Sequence, residues 1–82
     1  MLEKDLISLG FDRIEVKDLE DVFYYYKLEV IDGMFLVSNT DKEAWNNDGE
    51  FFISNIDNAL ILIDEFDELA QFISVLRGNT LV

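Results

Sequence analysis

The stretch VFYYYKLEVIDGMFLVSN, residues 22–39, holds two apolar runs joined by Asp32-Gly33. Asp-Gly is the pair that a two-residue type I′ hairpin turn favours, because both central positions take positive φ. Whatever surrounds it, this stretch predicts two antiparallel strands. A two-residue turn sets Ile31 opposite Met34, Val30 opposite Phe35, Leu28 opposite Val37 and Tyr26 opposite Asn39. Opposed residues share a face. One face then carries Val22, Tyr24, Tyr26, Leu28, Val30, Phe35 and Val37, and is the expected core. The other carries Phe23, Tyr25, Lys27, Glu29, Leu36 and Ser38. On this register Tyr24 and Tyr26 are structural, with hydroxyls reaching the rim. Tyr25 points the other way and is a candidate contact residue; the alternative is cross-strand packing on a half-wet face.

The rest of the chain arranges itself around this hairpin. With 82 residues there is room for one core, so a single domain over residues 1–82 is expected. Half the residues are hydrophobic and 13% aromatic, a composition that folds rather than stays disordered. In LEKDLISL, Leu2, Leu6 and Leu9 recur at helical spacing and Gly10 follows as a left-handed stop, predicting a short amphipathic helix. FDRIEVKDLED reads either as a short edge strand or as an irregular connection. NTDKEAWNNDGE, residues 39–50, is polar with turn chemistry and reads as a loop. FFISNI (51–56) predicts a strand, with Asp57-Asn58 as a turn. ALILI (59–63) is a fourth strand or the lead into the last helix. From Asp64, a predicted N-cap, Phe66, Leu69, Ala70, Ile73 and Leu76 form a helical stripe that Gly78-Asn79 ends. Phe72 and Val75 widen that stripe. The expectation is a small two-layer α+β domain: helix, three- to four-stranded antiparallel sheet, helix, with both helices on one sheet face.

Several chemistries are disfavoured by composition. The chain has no cysteine and no histidine, which removes disulfides, thiolate metal sites and the commonest general base. No cofactor or metal is expected. NNDGE (46–50) resembles part of a calcium loop, but placing Gly49 sixth puts Ala44 first and Asn55 twelfth, where the loop needs an acid and a glutamate. Glu65 and Glu68 share a helix face, yet Asp64, Glu65, Asp67 and Glu68 all complement the positive end of a helix dipole. With no phosphate loop or nucleophile elbow, a catalytic role is not expected. The N-terminus lacks a basic region followed by an apolar run of about 7–15 residues, so it does not read as a signal peptide. A cytoplasmic protein is the simplest expectation.

The remaining signal is charge. The formal net charge is −12, which repels nucleic acid and anionic membranes and steers basic partners in. From Glu43 to Leu76 no basic residue occurs, while that span holds Glu43, Asp48, Glu50, Asp57, Asp64, Glu65, Asp67 and Glu68. If residues 43–50 lie near the start of the last helix, they form one cation-free patch with Trp45 in it. The candidate partner-binding set is therefore Glu43, Trp45, Asp48, Glu50, Asp64, Glu65, Asp67, Glu68 and Tyr25. The other explanation is acidity that serves solubility.

In size, acidity and element order, carried by LEKDLISLGF, FYYYKLEVIDGMFLVSN and DEFDELAQFISVLRGN, the chain resembles the small acidic inhibitors that bacteriophages encode, including anti-CRISPR proteins and other DNA mimics. The resemblance implies a stoichiometric blocker of a basic, nucleic-acid-handling host protein and transfers no individual residue. Two other classes fit the composition: an immunity or antitoxin-type protein that neutralises a toxin, and an oligomerising module using Phe72, Val75 and the Phe23/Tyr25/Leu36 face. The composition suits a monomer or a homodimer.

Overall fold

The structure, a computed structural model, describes residues 1–57 and 59–78. The elements run α1 (Glu3–Ser8), β1 (Asp12–Asp18), β2 (Asp21–Ile31), β3 (Met34–Thr40), α2 (Asp41–Trp45), β4 (Ile53–Ile56), β5 (Ala59–Ile63) and α3 (Phe66–Leu76). The class is α+β. Its five strands form one antiparallel sheet in the spatial order β1-β2-β3-β4-β5. Five replaces the expected three or four because both open segments are strands. FDRIEVKDLED supplies β1, paired along its length from Asp12 opposite Lys27 to Asp18 opposite Asp21, and ALILI supplies β5.

Leu6 of α1 and Leu69 and Ile73 of α3 join Tyr26, Leu28, Val30 and Leu36 in one buried cluster, so both helices cover the same sheet face. The leucine stripe of α1 is used only in part. Leu6 is fully buried and Leu9 packs against the cluster, but Leu2 is the exposed N-cap. Gly10 does stop the helix, with φ +96°. Asp64 is not the N-cap of α3: Glu65 is, without a side-chain cap bond, because the chain turns helical only at Phe66. Gly78 has φ +77°; Asn79, with Asn58 of the expected Asp57-Asn58 turn, lies outside the described residues.

The hairpin register departs from the simple one. Ile31 faces Met34 as expected, but Glu29 then faces Phe35, Leu28 faces Leu36 and Lys27 faces Val37. Val30 is an extra residue, a β-bulge. The shift of one residue turns β3 over. Leu36 and Ser38 go to the core side, buried, whereas Phe35 and Val37, expected in the core, stay half-buried on the opposite face. Two contacts accompany this arrangement. The Arg77 Nε–H, just past α3, donates to the Val30 carbonyl at 2.9 Å, and the Lys27 ammonium sits 4.3 Å from the Phe35 ring centre, a cation–π pair. A second shift lies between Tyr25 and Lys27. Beside it, side chains replace the ladder: Ser38 Oγ accepts from the Tyr26 N–H at 2.9 Å and Asp41 Oδ1 from the Tyr24 N–H at 2.8 Å.

Residues 39–50, expected as a loop, are one only over 46–50. Asn39 and Thr40 end β3, and α2 follows at once. The reason is Thr40-Asp-Lys-Glu43, a capping box. The Thr40 hydroxyl oxygen accepts from the Glu43 N–H at 3.3 Å, and the Thr40 N–H donates to Glu43 Oε1 at 3.3 Å.

The reversal of β3 has a measurable consequence. Leu36→Ala empties a fully buried site and should lower the unfolding free energy by about 2–5 kcal/mol. Val37→Ala, on the wetter face, should cost less than half as much. Urea denaturation of the two variants checks this, and equal losses would contradict the register.

Candidate functional site

α2 runs from Thr40, which ends β3, and brings Trp45 to the surface as its last residue, 84% exposed. The chain then turns sharply through Asp48 and Gly49, both left-handed at φ 56° and 79°, and the Gly49 N–H closes the turn on the Ala44 carbonyl at 2.7 Å. Between this turn and β2 lies a cavity of about 370 Å³, whose lining includes Glu3, Tyr24, Asp41, Trp45 and Phe51. Lys42 lines it as well, and is ion-paired with Asp21 at the start of β2.

The cavity floor is an aromatic cluster held by one carboxylate. Tyr24 and Tyr26 meet edge-on with ring centres 6.0 Å apart, Tyr26 meets Phe51 edge-on at 5.5 Å, and Tyr24 stacks on Phe51 at 6.4 Å. The Arg13 guanidinium lies 3.8 Å from the Tyr24 ring centre. Glu3 of α1 accepts from the Tyr24 hydroxyl at 2.5 Å and from the Tyr26 hydroxyl at 3.0 Å. The two hydroxyls, expected to reach the rim, are both bound there by Glu3, and so tie α1 to β2. The bond to Glu3, helped by burial, pushes the Tyr24 pKa up to about 12 from 10.0. Burial, then the same carboxylate, raises that of Tyr26.

The expected contact residues fall into three places. Glu43, Trp45, Asp48 and Glu50 lie on α2 and the turn after it, all exposed, although the Glu43 carboxylate is engaged in the cap. Asp64, Glu65, Asp67 and Glu68 lie at and before the start of α3, also exposed. The two groups approach where the Met1 amino group donates to the Phe51 carbonyl at 3.1 Å and to the Asp64 carbonyl at 3.3 Å. Asp57, at the end of β4, is exposed as well. Tyr25 belongs to neither group. It is half-buried on the sheet face away from the helices, opposite Ile14 and Thr40.

Two residues of the site escape a reading of sequence. Glu3 looks like an ordinary first-turn acid, and nothing in its spacing announces two tyrosine partners from β2. Asp41 was detectable in part, since the Thr40–Glu43 box places it at the first position of a helix. The arrangement suits a positively charged side chain: Trp45 offers an open ring, and Glu3 and Asp41 add negative field. Comparison with known protein families, curated proteins and solved structures yields no match to this chain. Among the described residues no helix is long and apolar enough to cross a membrane.

Because folding raises the Tyr24 pKa, the folded chain holds a proton that the unfolded chain releases at high pH. This contribution is fully present below pH about 10 and is lost as pH rises towards 12. Glu3→Gln should remove the charge-assisted bonds, lower stability by about 1.5–3 kcal/mol and move tyrosinate absorbance at 295 nm to lower pH. An unchanged alkaline titration in Glu3→Gln would contradict the assignment.

Proposed function

We propose that this chain is a non-enzymatic acidic inhibitor that binds a basic, nucleic-acid-handling protein in the cytoplasm, in the manner of a DNA mimic. The observation that carries the reading is an exposed Trp45 beside a carboxylate-lined cavity, on a chain with net charge −12. Exposed carboxylates on the turn after α2 and at the start of α3 steer a basic surface in, as a row of phosphates does. Trp45 supplies the anchor that charge alone lacks, since binding energy concentrates in aromatic side chains that become desolvated. An arginine or lysine of the partner fits the cavity between Trp45 and β2. An anti-CRISPR or other anti-defence role is the setting that the layout resemblance suggests. An immunity-type protein acting on a basic toxin would use the same surface and differ only in its target. The oligomerising module loses one of its residues, because Leu36 is fully buried.

The test uses the chain immobilised and exposed to the heparin-binding fraction of a lysate from cells that encode it. Retention should be reversed by salt, because exposed charges are screened beyond about 8 Å at physiological ionic strength, and by added duplex DNA. Glu65→Lys with Glu68→Lys should cut retention about tenfold or more, as should Trp45→Ala, while Lys4→Ala should leave it intact. Retention indifferent to duplex DNA and to the charge reversals would refute the mimicry.

A further inference from the structure

The two edges of the sheet are built differently. β1 carries Asp12, Arg13, Glu15, Lys17 and Asp18 in seven residues, the charged character by which natural edge strands resist pairing. β5 is Ala-Leu-Ile-Leu-Ile, without charge, proline or glycine, and among the described residues it pairs only with β4. Half the backbone groups of such a strand point away from the sheet and can accept another strand. Leu60 and Leu62 are 89% and 67% exposed, and Val75 of the neighbouring helix 61%. Between β5 and α3 runs a groove of about 380 Å³ lined chiefly by Ile61, Leu62, Ile63, Glu68, Phe72 and Val75.

From this edge we infer a strand-addition site: β5 takes up an extended segment of a partner protein, apolar at alternate positions in its middle and lysine- or arginine-rich at both ends. The charge pattern selects that occupant. β5 is bracketed by exposed Asp57 on one side and by Asp64 and Glu65 on the other, with Glu68 on the groove wall. A basic end therefore finds an acid wherever the segment leaves the strand. A second copy of the chain does not fit as well. Antiparallel pairing centred on Ile61 would bring Glu65 of each copy towards Asp57 of the other just beyond the two ends of the ladder, and like charges brought together repel. Backbone bonds supply affinity, and the groove reads the side chains that point towards α3. The site is separate from the α2 cavity and does not depend on the partner's handling nucleic acid.

The experiment titrates the isotopically labelled chain with a capped synthetic peptide that alternates valine and threonine between pairs of lysines. Saturable one-to-one binding is expected, with amide shifts centred on Ala59–Ile63 and on Phe72 and Val75. A peptide with glutamates replacing the lysines should bind about tenfold more weakly or worse. A peptide N-methylated at alternate backbone nitrogens, which keeps the charge but loses the ladder, should not bind. The proposal is overturned by equal binding of the N-methylated peptide, by shifts centred on α2, by equal binding of the glutamate peptide, or by a dimer in sedimentation whose β5 amides are protected without peptide.

Discussion

One row of β2 side chains, Tyr26, Leu28 and Val30, must be buried, and the rest of the molecule is arranged to do it. Burying an apolar side chain contributes roughly 1.5–3 kcal/mol, against a total stability of about 5–15 kcal/mol for a domain, so a few such residues decide the fold. Leu36 beside it on β3, Leu6 and Leu69 from the helices, and Phe51 at the side close over the row. The bulge at Val30 turns β3 so that Leu36 joins the row, and the Val30 carbonyl accepts from Arg77, which ties the end of α3 to the sheet. Glu3 ties α1 to the other end through two tyrosine hydroxyls. Where the β2 ladder is interrupted, Ser38 and Asp41 side chains accept the backbone N–H groups in place of carbonyls.

Gathering the helices over one face leaves the sheet asymmetric. The opposite face is half-wet, with Phe23, Tyr25, Phe35 and Val37 only partly covered, and Lys27 lying across Phe35. Tyr25 thereby gains a structural explanation through its cross-strand neighbours Ile14 and Thr40. The β1–β2 hairpin ends in Leu19, fully exposed and left-handed at φ 52°, a conformation that costs a non-glycine residue about 1 kcal/mol or more. A charged edge at β1 and an uncharged one at β5 complete the asymmetry.

The acidity is likewise divided. Part of it is structural. Glu3 binds tyrosines, Asp5 accepts from the Leu2 N–H, Asp21 pairs with Lys42, Asp41 continues a ladder and Glu43 closes a cap. These carboxylates already have partners, and their charge reaches another protein mainly as a field. Among the described residues, the exposed acids after α2 and at the start of α3 have no such side-chain partner, and those at α3 favour its N-terminus. Exposed acids also occur on β1, on β2 and in their turns, at Asp12, Glu15, Asp18, Glu20, Glu29 and Asp32, so the negative field extends beyond the surroundings of Trp45 and the bare edge.

Local pattern was enough for the position of the hairpin turn, the two terminal helices, the α+β class and a single core, because Asp32-Gly33 chemistry and helical spacing act within a few residues of one another. The turn is not the expected type I′, since only Gly33, and not Asp32, takes positive φ. The capping box Thr40–Glu43 was equally local, and α2 could have been recognised from it. The register of β3 could not. Whether Leu36 or Val37 faces the core depends on one extra residue at Val30, and that bulge is stabilised by Arg77, which is far away in sequence. The same holds for the site: Glu3, Asp41 and Trp45 meet because α1 and α2 pack at one end of β2, and the two acidic groups approach because Met1 bridges Phe51 and Asp64. The sequence by itself determined the central hairpin and the two terminal helices, since those choices depend on short-range propensity, whereas β1 and β5 became strands through pairing with β2 and β4. Only the tertiary structure decided which faces they present, since facing is settled by contacts between residues distant in the chain.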